Sequence, residues 1–156
     1  MAKEFKLMTE ALIIRDGRVL LGRRKKDGFG HGKWLGFGGK VEPGESIEEG
    51  MKREFIEEVC IEVEEFEKRG VLTFHYINDP DMEVHYFEVT AHRGEPLETR
   101  EMENAWFEIK DIPYDEMFPN DSYWLPMFLR QEYFAGEFWF NKEYKIIKHT
   151  IKNSSS

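Results

Sequence analysis

Cysteine is almost absent from this chain: Cys60 is the only one among 156 residues. A single thiol excludes an internal disulfide and a zinc site built on several thiolates, and it fits a reducing cytoplasm. Positive charge is also scarce, with 22 Lys+Arg against 31 Asp+Glu and a net charge of −9. So acidic a surface repels a polyphosphate backbone, and long nucleic acid is not an expected partner. A small phosphorylated ligand stays open if metal ions intervene. No apolar run is long enough to cross a membrane, and the opening MAKEFKLMTE has no apolar h-region, so neither a span nor a leader is expected. There is no internal repeat, no dividing linker and no low-complexity stretch beyond Ser154–Ser156. With 40% hydrophobic residues over this length, the chain has material for one core. The expected organisation is a single domain over residues 1–152 with 153–156 as a disordered tail, acting as a monomer in the cytoplasm.

Local pattern supplies the elements. Ala11–Ile14 and Arg18–Leu21 are β-prone runs separated by Arg15-Asp16-Gly17, a hairpin signature. The basic, glycine-rich Lys25–Lys33 reads as a loop, and Trp34–Gly39 is a short apolar segment ending in a glycine pair. After Pro43-Gly44 the pattern predicts a helix from about Ile47 to Val59. Val63–Ile77 and Met82–His92 read as strands joined by Asn78-Asp79-Pro80, and Asn104–Ile109 as another. Ser122–Gln131 is expected to be helical. Glu137–Phe140 and Tyr144–Thr150 suggest a closing hairpin around Asn141-Lys142. Strands dominate over two helices of different character, which is an α+β arrangement.

The first helix is the informative one. Ser46 and Glu49 make a capping box, and Ile47, Met51 and Phe55 recur every four residues as an apolar stripe with Gly50. Eleven glutamates fall between Glu42 and Glu67. Among them Glu54, Glu57 and Glu58 stand at i, i+3 and i+4, where like charges repel on one helix face. A helix made acidic only for solubility would alternate these with lysine. Oxygen ligands at such short spacing suit a hard cation, Mg²⁺ or Mn²⁺, and not zinc.

From Gly39, five residues lead to Glu45, seven more to Arg53-Glu54, and Phe55, Glu57-Glu58 and Ile61 follow. This resembles the Nudix signature G-x5-E-x7-R-E-U-x-E-E-x-G-U, with U apolar. Cys60 stands where the signature has its last glycine. That position ends the helix, so cysteine is expected to be strained there at a modest cost in stability. The resemblance implies a Nudix fold, a mixed β-sheet core sandwiched between helices, and metal-dependent cleavage of a diphosphate. It also implies that Glu54, Glu57, Glu58 and the Gly38 carbonyl ligate metal and that Arg53 orients a box glutamate. Glu57 or Glu58 is the candidate general base, and Glu101 a second candidate base or metal ligand. Metal at these residues would neutralise phosphate charge and acidify water.

Similarity extends beyond that box. VLLGRRKKDGFGHGKWLGFGGKVEPGE, EMENAWFEIKDIP and MFPNDSYWLP resemble the oxidised-purine nucleoside triphosphatases of the mammalian MutT-homologue type. Those enzymes convert 8-oxo-dGTP, 2-hydroxy-dATP and similar triphosphates to the monophosphate and pyrophosphate, cleansing the DNA precursor pool. On that resemblance Thr9, Phe37, Gly38, Gly39 and Lys40 are substrate contacts, and Arg24 falls opposite a binding lysine, with Lys25 the alternative because of a one-residue insertion nearby. Asp121 keeps the second of two adjacent base-reading acids, while Asn120 replaces the first. Phe118 replaces a stacking tryptophan, and Leu35 replaces an asparagine that contacts the purine. Trp124 reads as core packing, and the five histidines show no ligand spacing. Two other readings stand beside this one. The first is a Nudix pyrophosphatase for ordinary dNTPs, nucleotide sugars or dinucleoside polyphosphates. The second is a non-catalytic nucleotide-sensing module, which would be expected to lose box carboxylates that are all present here.

Overall fold

The computed structural model describes residues 5–25, 27–28 and 30–154. In chain order the strands are β1 (Phe5–Leu12), β2 (Ile14–Arg15), β3 (Arg18–Arg24), β4 (Trp34–Leu35) and β5 (Phe37–Lys40), followed by helix α1 (Ile47–Val59). Then come β6 (Glu62–His75), β7 (Asp81–Arg93), β8 (Met102–Glu108), helix α2 (Asp121–Leu129), β9 (Tyr133–Phe140) and β10 (Ile146–Ser154). The predicted hairpin is present between β2 and β3: Arg15 pairs with Arg18, and Asp16 and Gly17 both take positive φ, 54° and 74°. Two-residue turns of that hand match strand twist, and Asp-Gly favours them.

A mixed six-stranded sheet runs in the order β10-β9-β6-β7-β1-β5, and β2, β3, β4 and β8 form a second sheet. β1 lies parallel to β7 and antiparallel to β5. Because β1 and β7 are internal, alternate side chains enter two different cores. Leu12, Val84 and Tyr86 pack under α2 with Trp124, Leu125 and Phe128. Ala11, Phe87 and Val89 pack under α1 with Met51, Phe55 and Val59. The sheet is therefore covered by one helix on each face, as the resemblance to the Nudix signature implies.

Helix α1 covers the predicted span. Ser46 accepts the Glu49 N–H at 3.0 Å while the Glu49 carboxylate accepts the Ser46 N–H at 3.1 Å. Its stripe is buried at Met51 and Phe55. At the other end Cys60 takes φ 63°, ψ 32°, the left-handed cap anticipated from the missing glycine; a side chain with a Cβ there costs roughly 1–2 kcal/mol.

Elsewhere the boundaries moved. β1 starts at Phe5, six residues before the apolar run that betrayed it, and β9 starts at Tyr133, four residues early. Asn153 and Ser154 pair with Phe134 and Tyr133, so the last strand carries two residues past the expected boundary at 152; residues 155–156 lie outside the described ones. The Lys25–Lys33 segment is a turn-rich loop closed by Arg24 N–H to Lys33 O at 3.2 Å, with positions 26 and 29 outside the description.

At the end of β6, His75 bridges Asp81 (2.9 Å) and Glu137 (2.7 Å) and stacks on Trp139. Burial works against its charge, but the two carboxylates outweigh burial and raise its pKa. A raised histidine contributes stability that is complete below the unfolded value of about 6.5 and is lost as pH rises through the folded value. Imidazole NMR titration should therefore give His75 a pKa above 6.5, and the stability gap between wild type and His75→Gln should narrow toward alkaline pH. A titration at or below the unperturbed value, with a constant gap, would contradict this.

Candidate active site

Strand β5 and helix α1 build the acidic end. Gly38 must be glycine, because a Cβ there would run into the Thr9 carbonyl of β1. At Gly39 a Cβ would stand 2.8 Å from the Glu54 carboxylate. The glycine pair thus lets the strand lie close against both β1 and the glutamate row of α1. Gly38 donates its N–H to Glu58 Oε1 at 2.8 Å.

Glu54, Glu58 and Glu101 each bring a carboxylate oxygen within 4.8 Å of the others. Glu58 is 1% exposed. Burial, reinforced by the charge on Glu54, pushes its carboxyl up to about 8. Burial raises Glu54 as well, against the hydrogen bond from Arg53. Clustered anions taken out of water need a counter-charge. The donors are all oxygen, so the trio fits a hard divalent cation, in keeping with the general divalent-metal dependence of Nudix hydrolases.

Glu57 is not part of this trio. It is 48% exposed and meets Arg53 Nη1 at 3.2 Å. The i, i+3, i+4 spacing puts all three box glutamates on one side of the helix, but packing against β5 selects the 54/58 row. Three carboxylates alike in spacing thus differ in packing, with Glu58 buried and Glu57 half exposed.

Arg53 ties the box together. Its Nε and Nη2 grip the Glu45 carboxylate at 3.0 and 2.7 Å, Nη1 reaches Glu54 at 2.9 Å, and Nη2 also donates to the Lys40 carbonyl at 3.1 Å. That fork holds the Glu45 carboxyl at about 2. Arg53 spends its donors on the protein itself, on Glu45, Glu54, Glu57 and the Lys40 carbonyl.

A cavity opens beside the acidic end. Its lining includes Gly38, Gly39, Thr9, Arg24 and Leu35 together with Phe118, Asn120 and Asp121. Arg24 Nη2 lies 3.8 Å from Glu58. Lys25 turns away instead, to Glu98 (2.6 Å) and the Thr99 carbonyl (2.8 Å). Thr9 is buried, and its Oγ1 has no protein partner among the described residues. Lys40 ends β5, exposed. Phe37 is a correction: strand alternation turns it into the core beneath α1, 0% exposed and edge-to-face on Phe55 at 5.2 Å. It supports the site without lining the cavity.

Asp121, 3% exposed, opens α2. Its Oδ1 accepts the Trp124 indole N–H at 2.9 Å and the Asn120 amide at 3.3 Å, and its Oδ2 accepts the Phe118 N–H at 3.1 Å. Burial nevertheless lifts its carboxyl to about 7. Trp124 itself is fully buried core.

Sequence reasoning missed Glu10, which lines the same cavity from β1. The signal was available: Met8, Glu10 and Leu12 share one strand face, and a glutamate between two inward apolar residues requires a reason.

Comparison with known proteins bears on the family and the fold. The NUDIX domain family matches residues 9–128. A Mus musculus protein described as an oxidized purine nucleoside triphosphate hydrolase is 40% identical over 152 residues, covering 97% of both chains. A Danio rerio protein of the same description is 42% identical, covering 94% of each. The crystal structure of the MutT protein from Bacillus halodurans superposes with a TM-score of 0.81 at 24% identity, over 94% of this chain and 97% of that one. With the signature box lying inside the matched residues 9–128 and the fold in agreement, this chain belongs to the Nudix family.

Proposed function

We propose that this protein hydrolyses oxidised purine nucleoside triphosphates of the 8-oxo-dGTP and 2-hydroxy-dATP type to the monophosphate and pyrophosphate, as a single-domain cytoplasmic monomer using Mg²⁺ or Mn²⁺. The observation that carries this is the continuity of one cavity. It runs from the Gly38–Gly39 edge of the carboxylate trio to the aromatic and acidic residues Phe118 and Asp121. A triphosphate laid along it has its phosphates at the trio and its base at α2. The near full-length relatives from mouse and zebrafish are described as oxidized purine nucleoside triphosphate hydrolases.

When bound by Glu54, Glu58, Glu101 and the Gly38 carbonyl, a divalent cation supplies charge neutralisation and acidification of water. The remaining work falls to the chain. Arg24 gives the triphosphate a cationic contact beside Glu58, and Arg53 keeps Glu54 in place. Thr9 offers its hydroxyl and Phe118 its ring face to the nucleotide. Water attacks phosphorus at the bridge between the α and β phosphates, the bridging P–O bond breaks to leave nucleoside monophosphate and pyrophosphate, and the water proton passes to a carboxylate. Glu58 is assigned that role because it abuts the cavity through Gly38 and Arg24, whereas Arg53 holds Glu57 on the solvent side.

Product analysis tests the reaction class. Activity should require added Mg²⁺ or Mn²⁺ and release nucleoside monophosphate and pyrophosphate in equal amounts. Orthophosphate as the sole released phosphate, or full activity in excess EDTA, would contradict it.

A further inference from the structure

Nothing in the hydrolytic trio requires Glu10, yet the protein is shaped around it. A Cβ at position 36 would stand 2.7 Å from Glu10 Cγ and 2.9 Å from Oε2, so Gly36 leaves the space this side chain fills. The Gly36 N–H then donates to Glu10 Oε2 at 3.2 Å. Among the described residues Oε1 has no protein hydrogen-bond donor, and the side chain lines the cavity shared with Asn120 and Asp121.

The other polar groups of this pocket are largely committed. Asp121 already accepts from Trp124, Asn120 and the Phe118 backbone, which takes three of the roughly four acceptor positions of a carboxylate. Asn120 spends an amide hydrogen on Asp121, and Leu35 has no hydrogen-bonding group. The open carboxyl oxygen is the one brought by β1.

We propose that Glu10 is a specificity-determining residue of the base pocket, whose carboxyl joins that of Asp121 to read the N–H donor edge of an oxidised purine. The proposal rests on the oxidised-purine reading above. It says that the second acid of the pocket comes from a different strand than the α2 segment that supplies the first. A carboxyl oxygen suits a base edge rich in N–H donors, such as N1–H and N2–H₂ of 8-oxo-guanine. Unmodified adenine presents an acceptor beside a donor, which an amide matches better.

The test is kcat/KM for 8-oxo-dGTP and dATP with wild type, Glu10→Gln and Glu10→Leu, each checked for folding by circular dichroism and thermal melting. Glu10→Gln should lower the 8-oxo-dGTP to dATP ratio by ~10-fold or more, chiefly through KM with kcat held within ~3-fold. Glu10→Leu should lose 8-oxo-dGTP activity without gaining dATP. The leucine variant leaves an apolar wall that folds even if the buried amide does not. A ratio unchanged within ~2-fold in the folded variants would overturn the proposal. A wild type showing no preference for oxidised purines would defeat the parent reading instead. Glu10 is then judged on the ranking of a panel of nucleoside triphosphates, where an unchanged order in both variants overturns it.

Discussion

Replacing Glu58 with glutamine is expected to lower turnover by at least ~10²-fold while the protein stays folded. Glu58 is the buried member of the trio, bonded to Gly38 and flanked by Arg24. The change keeps the volume and an oxygen for the Gly38 N–H but removes the charge that faces Glu54 and Glu101. Metal-free Glu58→Gln should be at least as stable as wild type, because the fold already favours a neutral carboxyl there. Glu57→Gln is the internal control. Its carboxylate is half exposed and partners only Arg53 among the box residues, so its loss should be ~10-fold or less. Steady-state kinetics at saturating metal decide the matter. Equal losses in both variants would mean that packing against β5 does not rank the two glutamates.

The second large effect belongs to Asp121. Asp121→Asn should cost ~10–10²-fold in kcat/KM toward 8-oxo-dGTP, because hydrogen bonds to an ionised acceptor are roughly twice as strong as neutral ones. Asn120→Ala should cost less. Burial lifts the Asp121 carboxyl to about 7, so its anion grows as pH rises through that value. The wild-type to Asp121→Asn ratio should therefore be larger above neutrality than below it, and taking the ratio cancels any pH effect at the metal site. Asp121→Ala should do more harm still. It strips the fully buried Trp124 of the acceptor for its indole N–H, at about 1–3 kcal/mol of stability. Unchanged kinetics and melting temperature in both Asp121 variants would remove the segment 118–121 from base recognition.

Much of this architecture was legible in residue order because it is set locally. Asp16-Gly17 dictates its own turn, Ser46 and Glu49 cap α1 within three residues of each other, and Cys60 announces its strain by standing where a left-handed cap is needed. The signature gathers Gly39, Glu45, Arg53, Glu54 and Glu58 within twenty residues, so the box could be read almost entirely. What stayed hidden is what distant segments decide. Glu57 and Glu58 are neighbours in sequence, and only β5 distinguishes the one that is buried. Phe37 adjoins Gly38, but strand alternation sends its ring into the core. Glu10 meets Asp121 across 111 positions of chain through a parallel β1–β7 pairing and a helix laid over it, a meeting no local pattern encodes. The early strand starts at Phe5 and Tyr133 were hidden because Lys6, Thr9 and Glu10 interrupt the apolar run in β1, as Ala135 and Gly136 do in β9.

Whether this Nudix fold turns its carboxylate trio on damaged purine nucleotides is decided by kcat/KM for 8-oxo-dGTP and 2-hydroxy-dATP against dGTP, dATP, a nucleotide sugar and a dinucleoside polyphosphate under one Mg²⁺ concentration. An oxidised purine triphosphate preferred over its unmodified counterpart by ~10-fold or more is the predicted result. Equal or greater kcat/KM for dGTP, the nucleotide sugar or the dinucleoside polyphosphate would contradict it.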